Sequence, residues 1–445
     1  MSLRAIRGVM ALAGVAVLTA GLAACGGDDE GGSGGAGKTL NVLINANTQY
    51  PKEFQAWQQS VSDKFKAQTG ASVKFETFAS ANEELTKIQT SVVSGTGPDV
   101  YAVGTTLTPT AYSTGAFVKL DDEKWQKVGG KDKFVPATLG ISGPNQQDQV
   151  GVPWVSRPFV MVYNTELLKA AGISKPATTW DELGQHAKQM TKAGQYGLAV
   201  AYKDNFDPWK FVWGMSTQAG NPLVEGKTAR LQDPTVKKAY QTYFGWLTTD
   251  KVVNPAAIGW TNPQAVAAFA EGKTGYLALS TVTAAKALDE GAVKGKWAFA
   301  LLPTVPPGAT SRPANGVDAA SILSGDNLLV ADYSKNQDLA FEYVKLVTDP
   351  EFQLDYYAKL GQLPANAAAL QTLKSDAKLA TVAEAAQKSV ATPFTGGWAD
   401  IQLALTNVVV QSIPDLSKGA VSDAQLDGRL ADAQKKAQSA LDRAK

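Results

Sequence analysis

Cysteine and histidine are almost missing from this chain: in 445 residues there is one of each, Cys25 and His186. A Ser-His-Asp arrangement would have to be built on His186. That residue falls inside the helix opened by Thr179, with no cysteine or second histidine near it. Zinc sites made of several histidines or cysteines, and a disulfide framework, are excluded by the count. An excess of one charge is also lacking. Lys and Arg total 42 against 41 Asp and Glu, a formal net charge of +1, so nothing favours nucleic acid or a polyanionic partner. No GxxxxGK[ST] loop occurs. The Gly-rich "SGTGPD" stretch ends a helix and precedes a strand, whereas a phosphate cradle follows a strand and opens a helix. No metal site and no cofactor are expected. An enzyme using only carboxylates stays open, because a glycosidase needs just two acids.

The position of the single cysteine carries information. Arg4 and Arg7 precede an uncharged, mostly apolar stretch from Val9 to Ala24. A membrane span needs about 20 apolar residues; this shorter run fits the basic and apolar regions of a signal peptide over residues 1–24. Leu22-Ala23-Ala24-Cys25 resembles the bacterial lipobox, which implies cleavage before Cys25 and a diacylglyceryl thioether on its sulfur. Two acyl chains anchor stably where one is marginal. Residues 25–37 are then the lipidated cysteine and a Gly-rich tether, which as a random coil reaches roughly 20 Å. Loss of Arg4 and Arg7 takes the net charge to −1.

The remaining chain of about 420 residues exceeds the size at which single cores stop growing, so two domains are expected. Thr39–Asn45 reads as a strand. Phe54, Trp57, Val61 and Phe65 follow at helical spacing, closed by Gly70. Ser72–Phe78 alternates as a strand does. Leu85, Ile88 and Val92 mark a helix, and 99–103 a third strand. This β-α-β-α-β order predicts an α/β fold with a largely parallel sheet. The run from Val150 to Asn164 is rich in β-branched and aromatic residues. Capping boxes are predicted at Thr179/Glu182 and Ser422/Gln425. Further helices are expected near 234–247 and 263–271, and strands near 275–279 and 297–301. The Ala-rich segment 366–390 reads as surface helix.

Five stretches in order, "SGTGPDVYAV", "GVPWVSRPFVMVYNTELLKAAGISKPATTWDEL", "AAFAEGKTGYLALS", "FALLPTVPPG" and "AFEYVKLVTDPEFQLDYYAKLGQLPAN", resemble the family 1 extracellular solute-binding proteins. These are the sugar receptors of ABC importers, to which maltose-binding protein is similar. The resemblance covers about residues 40–440. It implies an α/β, two-lobed, periplasmic-binding-protein-like type II fold with a hinge and an interlobe cleft. It implies lobe one from 38–155 plus 304–366, and lobe two from 156–303 plus 367–445. The implied function is non-enzymatic: a lipid-anchored receptor on the extracytoplasmic face of the cell membrane captures a sugar or oligosaccharide and delivers it to permease subunits. The partners are thus a small carbohydrate, the transmembrane permease and the membrane through its anchor, with the protein a monomer. Two alternatives stay open: a receptor for another polar solute, such as a polyol or glycerophosphodiester, and a secreted glycoside hydrolase.

The resemblance also implies cleft residues. They are Asn47, Thr48 and Gln49 after the first strand; Trp154 and Arg157 before the "YN" motif; Asp207 and Trp209; Ser280 and Thr281; Asp326 and Asn327; and Trp398. Val103 stands where maltose-binding protein has a stacking tryptophan, so one platform is missing. The residue types suit the task independently. Indole rings cover the C–H face of a sugar, and Asp, Asn and Arg bond its hydroxyl rim, which selects against ligands lacking hydroxyls. Trp57, Trp180, Trp246 and Trp297 sit in periodic apolar patterns and are expected in the core.

Overall fold

The computed structural model describes residues 37–444, apart from Gln146 and Lys374. Two sheets organise them. The first runs in the order Leu363–Pro364, Gly151–Ser156, Gly325–Val330, Val100–Gly104, Thr39–Asn45, Ser72–Phe78. The second runs Trp297–Ala300, Val160–Asn164, Thr274–Ser280, Tyr196–Ala199.

Local sequence explains much of this. Thr39–Asn45 and Ser72–Phe78 have the expected bounds and pair in parallel along their whole length. Between them the Pro51–Thr69 helix begins on a proline whose missing N–H would be unbonded anyway. It buries Phe54, Trp57, Val61 and Phe65 on one stripe. It stops at Gly70, whose φ of 74° lets its N–H reach the Lys66 carbonyl. Both predicted capping boxes form, at Thr179/Glu182 and Ser422/Gln425.

The first sheet is mixed rather than largely parallel. Thr39–Asn45 is parallel to both neighbours, but Gly325–Val330 is antiparallel to both of its own. This strand enters the sheet from the other body, not through a crossover helix, so no rule of βαβ handedness fixes its direction. The apolar run 150–164 is likewise two strands in different sheets. Gly151–Ser156 ends in the first and Val160–Asn164 starts in the second, with Pro158, which has no N–H to donate, at the break.

The return to the first sheet comes later than 304. Thr304 donates to the Thr178 carbonyl, Gln218 to that of Ala319, and Ala319 and Ile322 pack in the second body's core. Ser321–Ile322 pairs with Ser389–Val390, tying two crossing segments together. A Cβ on Gly325 would stand 2.0 Å from the Val155 carbonyl oxygen, so the entering strand needs a glycine there. The Ala-rich segment is amphipathic rather than surface: Leu379, Val382 and Ala385 are buried beneath it. Trp57, Trp180, Trp246 and Trp297 are core residues.

Candidate functional site

Among the contacts between the two bodies, two are hydrogen-bonded and lie away from the crossing strands. Tyr50 precedes the Pro51–Thr69 helix and belongs to the first core. Its hydroxyl donates to the Thr283 carbonyl at 2.8 Å and accepts the Ala287 N–H at 3.2 Å. Glu53 pairs with Lys286 at 2.6 Å, and the Lys286 ammonium lies 5.1 Å from the Tyr50 ring centre. Burial pushes the Tyr50 phenol up to about 12, so it keeps the proton it donates. The second contact joins the Thr108–Thr114 and Trp398–Leu416 helices. Thr110 Oγ1 donates to the Gly396 carbonyl at 2.9 Å and accepts the Ala399 N–H at 3.3 Å. Ala399 and Leu403 share an apolar cluster with Leu85 and Ile88 of the Ala81–Ser94 helix.

Polar groups gather at this junction. Where the chain first crosses, the Arg157 guanidinium takes Asp326 in a two-pronged bond of 3.2 and 2.6 Å. It also reaches Gln362 at 3.3 and 3.1 Å. A forked donor set against a carboxylate is the geometry that makes such pairs strong. In the second body Asp207 meets Lys210 at 3.0 Å and the Asn262 amide at 2.7 Å. Asp204 bonds the N–H groups of Phe206, Asp207 and Asn262; burial, with Asp207 beside it, raises its pKa. Trp209 opens the Pro208–Gln218 helix and Trp398 opens Trp398–Leu416. Their rings meet edge to face with centres 5.9 Å apart, and Lys210 stands 5.3 Å from the Trp209 ring centre.

A family model for bacterial extracellular solute-binding proteins matches residues 47–354. The chain belongs to that family. The diacetylchitobiose binding protein DasA of Streptomyces coelicolor is 29% identical to this solute-binding protein over 407 residues, 89% of this chain and 91% of that one. Among solved structures, a maltose-bound MalE3 of T. maritima has 20% identity and a TM-score of 0.73, covering 91% of this chain and 99% of that one. The GacH receptor of Streptomyces glaucescens has 20% identity and a TM-score of 0.70, covering 90% and 98%. The fold of this solute-binding protein is therefore the two-lobed type II arrangement, with a hinge and an interlobe cleft.

The expected cleft residues divide. Arg157 and Asp326 meet at the crossing and Asp207 lies in the second body, whereas Trp209 and Trp398 are buried in the second core. Asn327 does not join the crossing pair. Neighbours in a strand point to opposite faces, so when Asp326 meets Arg157, Asn327 turns into lobe one. There its amide donates to Thr108 Oγ1 at 3.1 Å and to the Ile141 carbonyl at 2.9 Å. Trp154 is also a correction. It is 1% exposed in the first core, stacked on Tyr356 at 4.8 Å and tilted against Trp57 at 5.7 Å. Asn47 folds its carbonyl onto the N–H groups of Gln49 and Tyr50, Thr48 is exposed, and Gln49 bonds the Tyr50 hydroxyl. Their stretch leads into the Tyr50 contact. Thr281 bonds Thr283 in the short turn that receives Tyr50, with Ser280 buried behind it.

Sequence reading missed three groups in this solute-binding protein. Glu84 is 3% exposed, and its Oε1 accepts the Gly104 N–H at 3.1 Å. A signal existed: Glu84 lies on the helix stripe that buries Ala81, Leu85, Ile88 and Ser91, where a charge is out of place. Thr105 and Gln402 have no such signal. The Thr105 hydroxyl, the Gln402 carbonyl oxygen and the Trp398 indole nitrogen are buried without a hydrogen-bond partner. His186 bonds and stacks on Tyr276 in lobe two, a packing role.

Proposed function

We propose that this protein is the sugar-capturing receptor of an ABC importer, held on the extracytoplasmic face of the cell membrane by a lipid on Cys25. The observation that carries the ligand reading is the match to the solute-binding family model over residues 47–354, and the buried, unpartnered polar atoms on Thr105, Trp398 and Gln402 agree with it. Leaving such atoms unbonded costs about 1–3 kcal/mol each, and they lie on elements of both lobes that pack together. A polyhydroxylated ligand would satisfy them only with the lobes closed. Binding then shifts the population toward the closed form, and the permease reads that shape. Lobe one is proposed as 38–155 with the returning segment through 366, lobe two as 156–303 with 367–445. The segment 304–322 is assigned to lobe two, on the contacts of Thr304, Ala319 and Ile322. Arg157, Asp207, Trp209, Asp326 and Trp398 are the proposed ligand contacts. No covalent step is needed, and the protein acts as a monomer.

Similarity to DasA puts short N-acetylated oligosaccharides first among the candidate sugars. A thermal-shift screen tests the reading with N,N′-diacetylchitobiose, maltose, cellobiose, ribitol and a glycerophosphodiester. A ligand at 100 times its Kd stabilises by about 2.7 kcal/mol. A shift with a sugar, without cleavage on long incubation, is the expected result. A shift with only the phosphodiester would replace the sugar reading, and cleavage would favour a hydrolase. Cys25 lies outside the described residues, so the anchor needs its own test. Cys25→Ser should abolish detergent partitioning, and the wild-type mass should include a diacylglyceryl group; wild-type protein lacking that mass overturns the anchor.

A further inference from the structure

We propose that the Glu84 carboxyl faces the cleft and hydrogen-bonds an acceptor on the bound solute, making it a determinant of which solute is taken. This rests on the receptor reading above.

The carboxyl lies close enough to the Arg157–Asp326 pair at the crossing for both to act on it electrostatically. It is nearly fully buried on the Ala81–Ser94 helix, the lobe-one helix against which lobe two packs Ala399 and Leu403. One oxygen is held by the Gly104 N–H, and the following residue, Thr105, has a buried, unpartnered hydroxyl. From lobe two, the helix that contributes Ala399 also carries the unpartnered Trp398 indole nitrogen and Gln402 carbonyl.

Among the described residues no cation forms an ion pair with the carboxyl. Arg157, the nearest candidate, is committed to Asp326 and Gln362. The other charged groups around it are engaged elsewhere. On its own helix Lys87 turns to Glu76 of the Ser72–Phe78 strand, and Glu83 caps the N–H of Ala79. Asp400 on the facing helix pairs with Arg443, and Asp207 with Lys210. Burial raises Glu84 to about 8, with Asp326 adding to the effect and Arg157 opposing it.

A protonated carboxyl whose first oxygen is occupied by Gly104 offers one O–H donor. Its best partner is a strong neutral acceptor, such as the amide carbonyl of an N-acetylamino sugar. An all-hydroxyl sugar supplies a weaker one.

Calorimetric titration with N,N′-diacetylchitobiose and with cellobiose, from pH 6 to 9, tests this on wild type and Glu84→Gln. The glutamine keeps an oxygen for Gly104 and an N–H donor for the solute, and does not titrate. Wild type should weaken about ten-fold toward the acetylated sugar over that range, as the competent protonated fraction falls. Glu84→Gln, which does not titrate, should give a profile that stays flat over that range. A flat wild-type profile, or an equal slope in the variant, overturns the proposal. If neither sugar binds, the choice of ligand has failed and Glu84 is read directly. Infrared spectra of the free protein should show a protonated-carboxyl C=O band at pH 6 that fades by pH 9 and is missing from Glu84→Gln. Absence of that band at pH 6 also overturns it.

Discussion

Two buried aromatic groups in this protein look alike and differ in what surrounds them. Trp154 lies between Tyr356 and Trp57, and all three belong to the lobe-one core. Trp209 and Trp398 meet edge to face in lobe two. Trp154 and Trp398 are both almost unexposed, and both leave an indole nitrogen without a partner. Burial therefore fails to separate core from cleft. Each ring has its neighbours in its own lobe's core, and what differs is the next residue along the helix that Trp398 opens. Trp154 keeps its walls when the lobes part. Beside Trp398, Ala399 packs on Leu85 and Ile88 of the other lobe, and Lys210 with Asp207 bring charge to the Trp209 side. Opening would remove part of that enclosure.

The comparison can be broken most directly at Trp154. Trp154→Ala should cost roughly 3–5 kcal/mol of ligand-free stability, as a core tryptophan does, with sugar affinity within about three-fold. Denaturant unfolding beside calorimetry checks both; intact stability with lost binding would return Trp154 to the cleft. Trp209→Ala should show the opposite balance. Affinity should fall at least 30-fold or so, about 2 kcal/mol, as expected for a large aromatic at a binding centre. Retained affinity with a large stability loss would place Trp209 with Trp154.

Tyr50→Phe sharpens the point at the junction itself. It removes one hydroxyl that ties Thr283 and Ala287 to lobe one, worth about 1 kcal/mol. The closed form should be less populated. Small-angle scattering should give a larger mean radius without ligand, and sugar affinity should drop about five-fold. An unchanged radius and affinity would mean that Tyr50 contributes nothing to closure.

Much of the site was legible as residue types and little as geometry. Arg157 and Asp326 were both read as cleft residues, but their pairing with each other was not foreseen; 169 positions separate them and only the crossing strands bring them together. Asn327 was read with Asp326 because the two are adjacent in sequence. Strand alternation then sent them to opposite faces, and nothing in "SGDNLLV" says which of the two faces the cleft.

By itself the sequence determined what depends on a few consecutive residues. The bounds of Thr39–Asn45 and Ser72–Phe78, the stop at Gly70 and the capping boxes at Thr179 and Ser422 follow from alternation, a left-handed glycine and side chains reaching three residues on. Only the tertiary structure decided which body each element joins. It cut the run 150–164 into strands of two sheets, held 304–322 in the second body and drew Trp154 into the first core. It also buried Glu84 with no ion pair among the described residues. These outcomes depend on where the chain crosses between the lobes, which is set by packing between segments more than a hundred residues apart and leaves no periodic mark on any one of them.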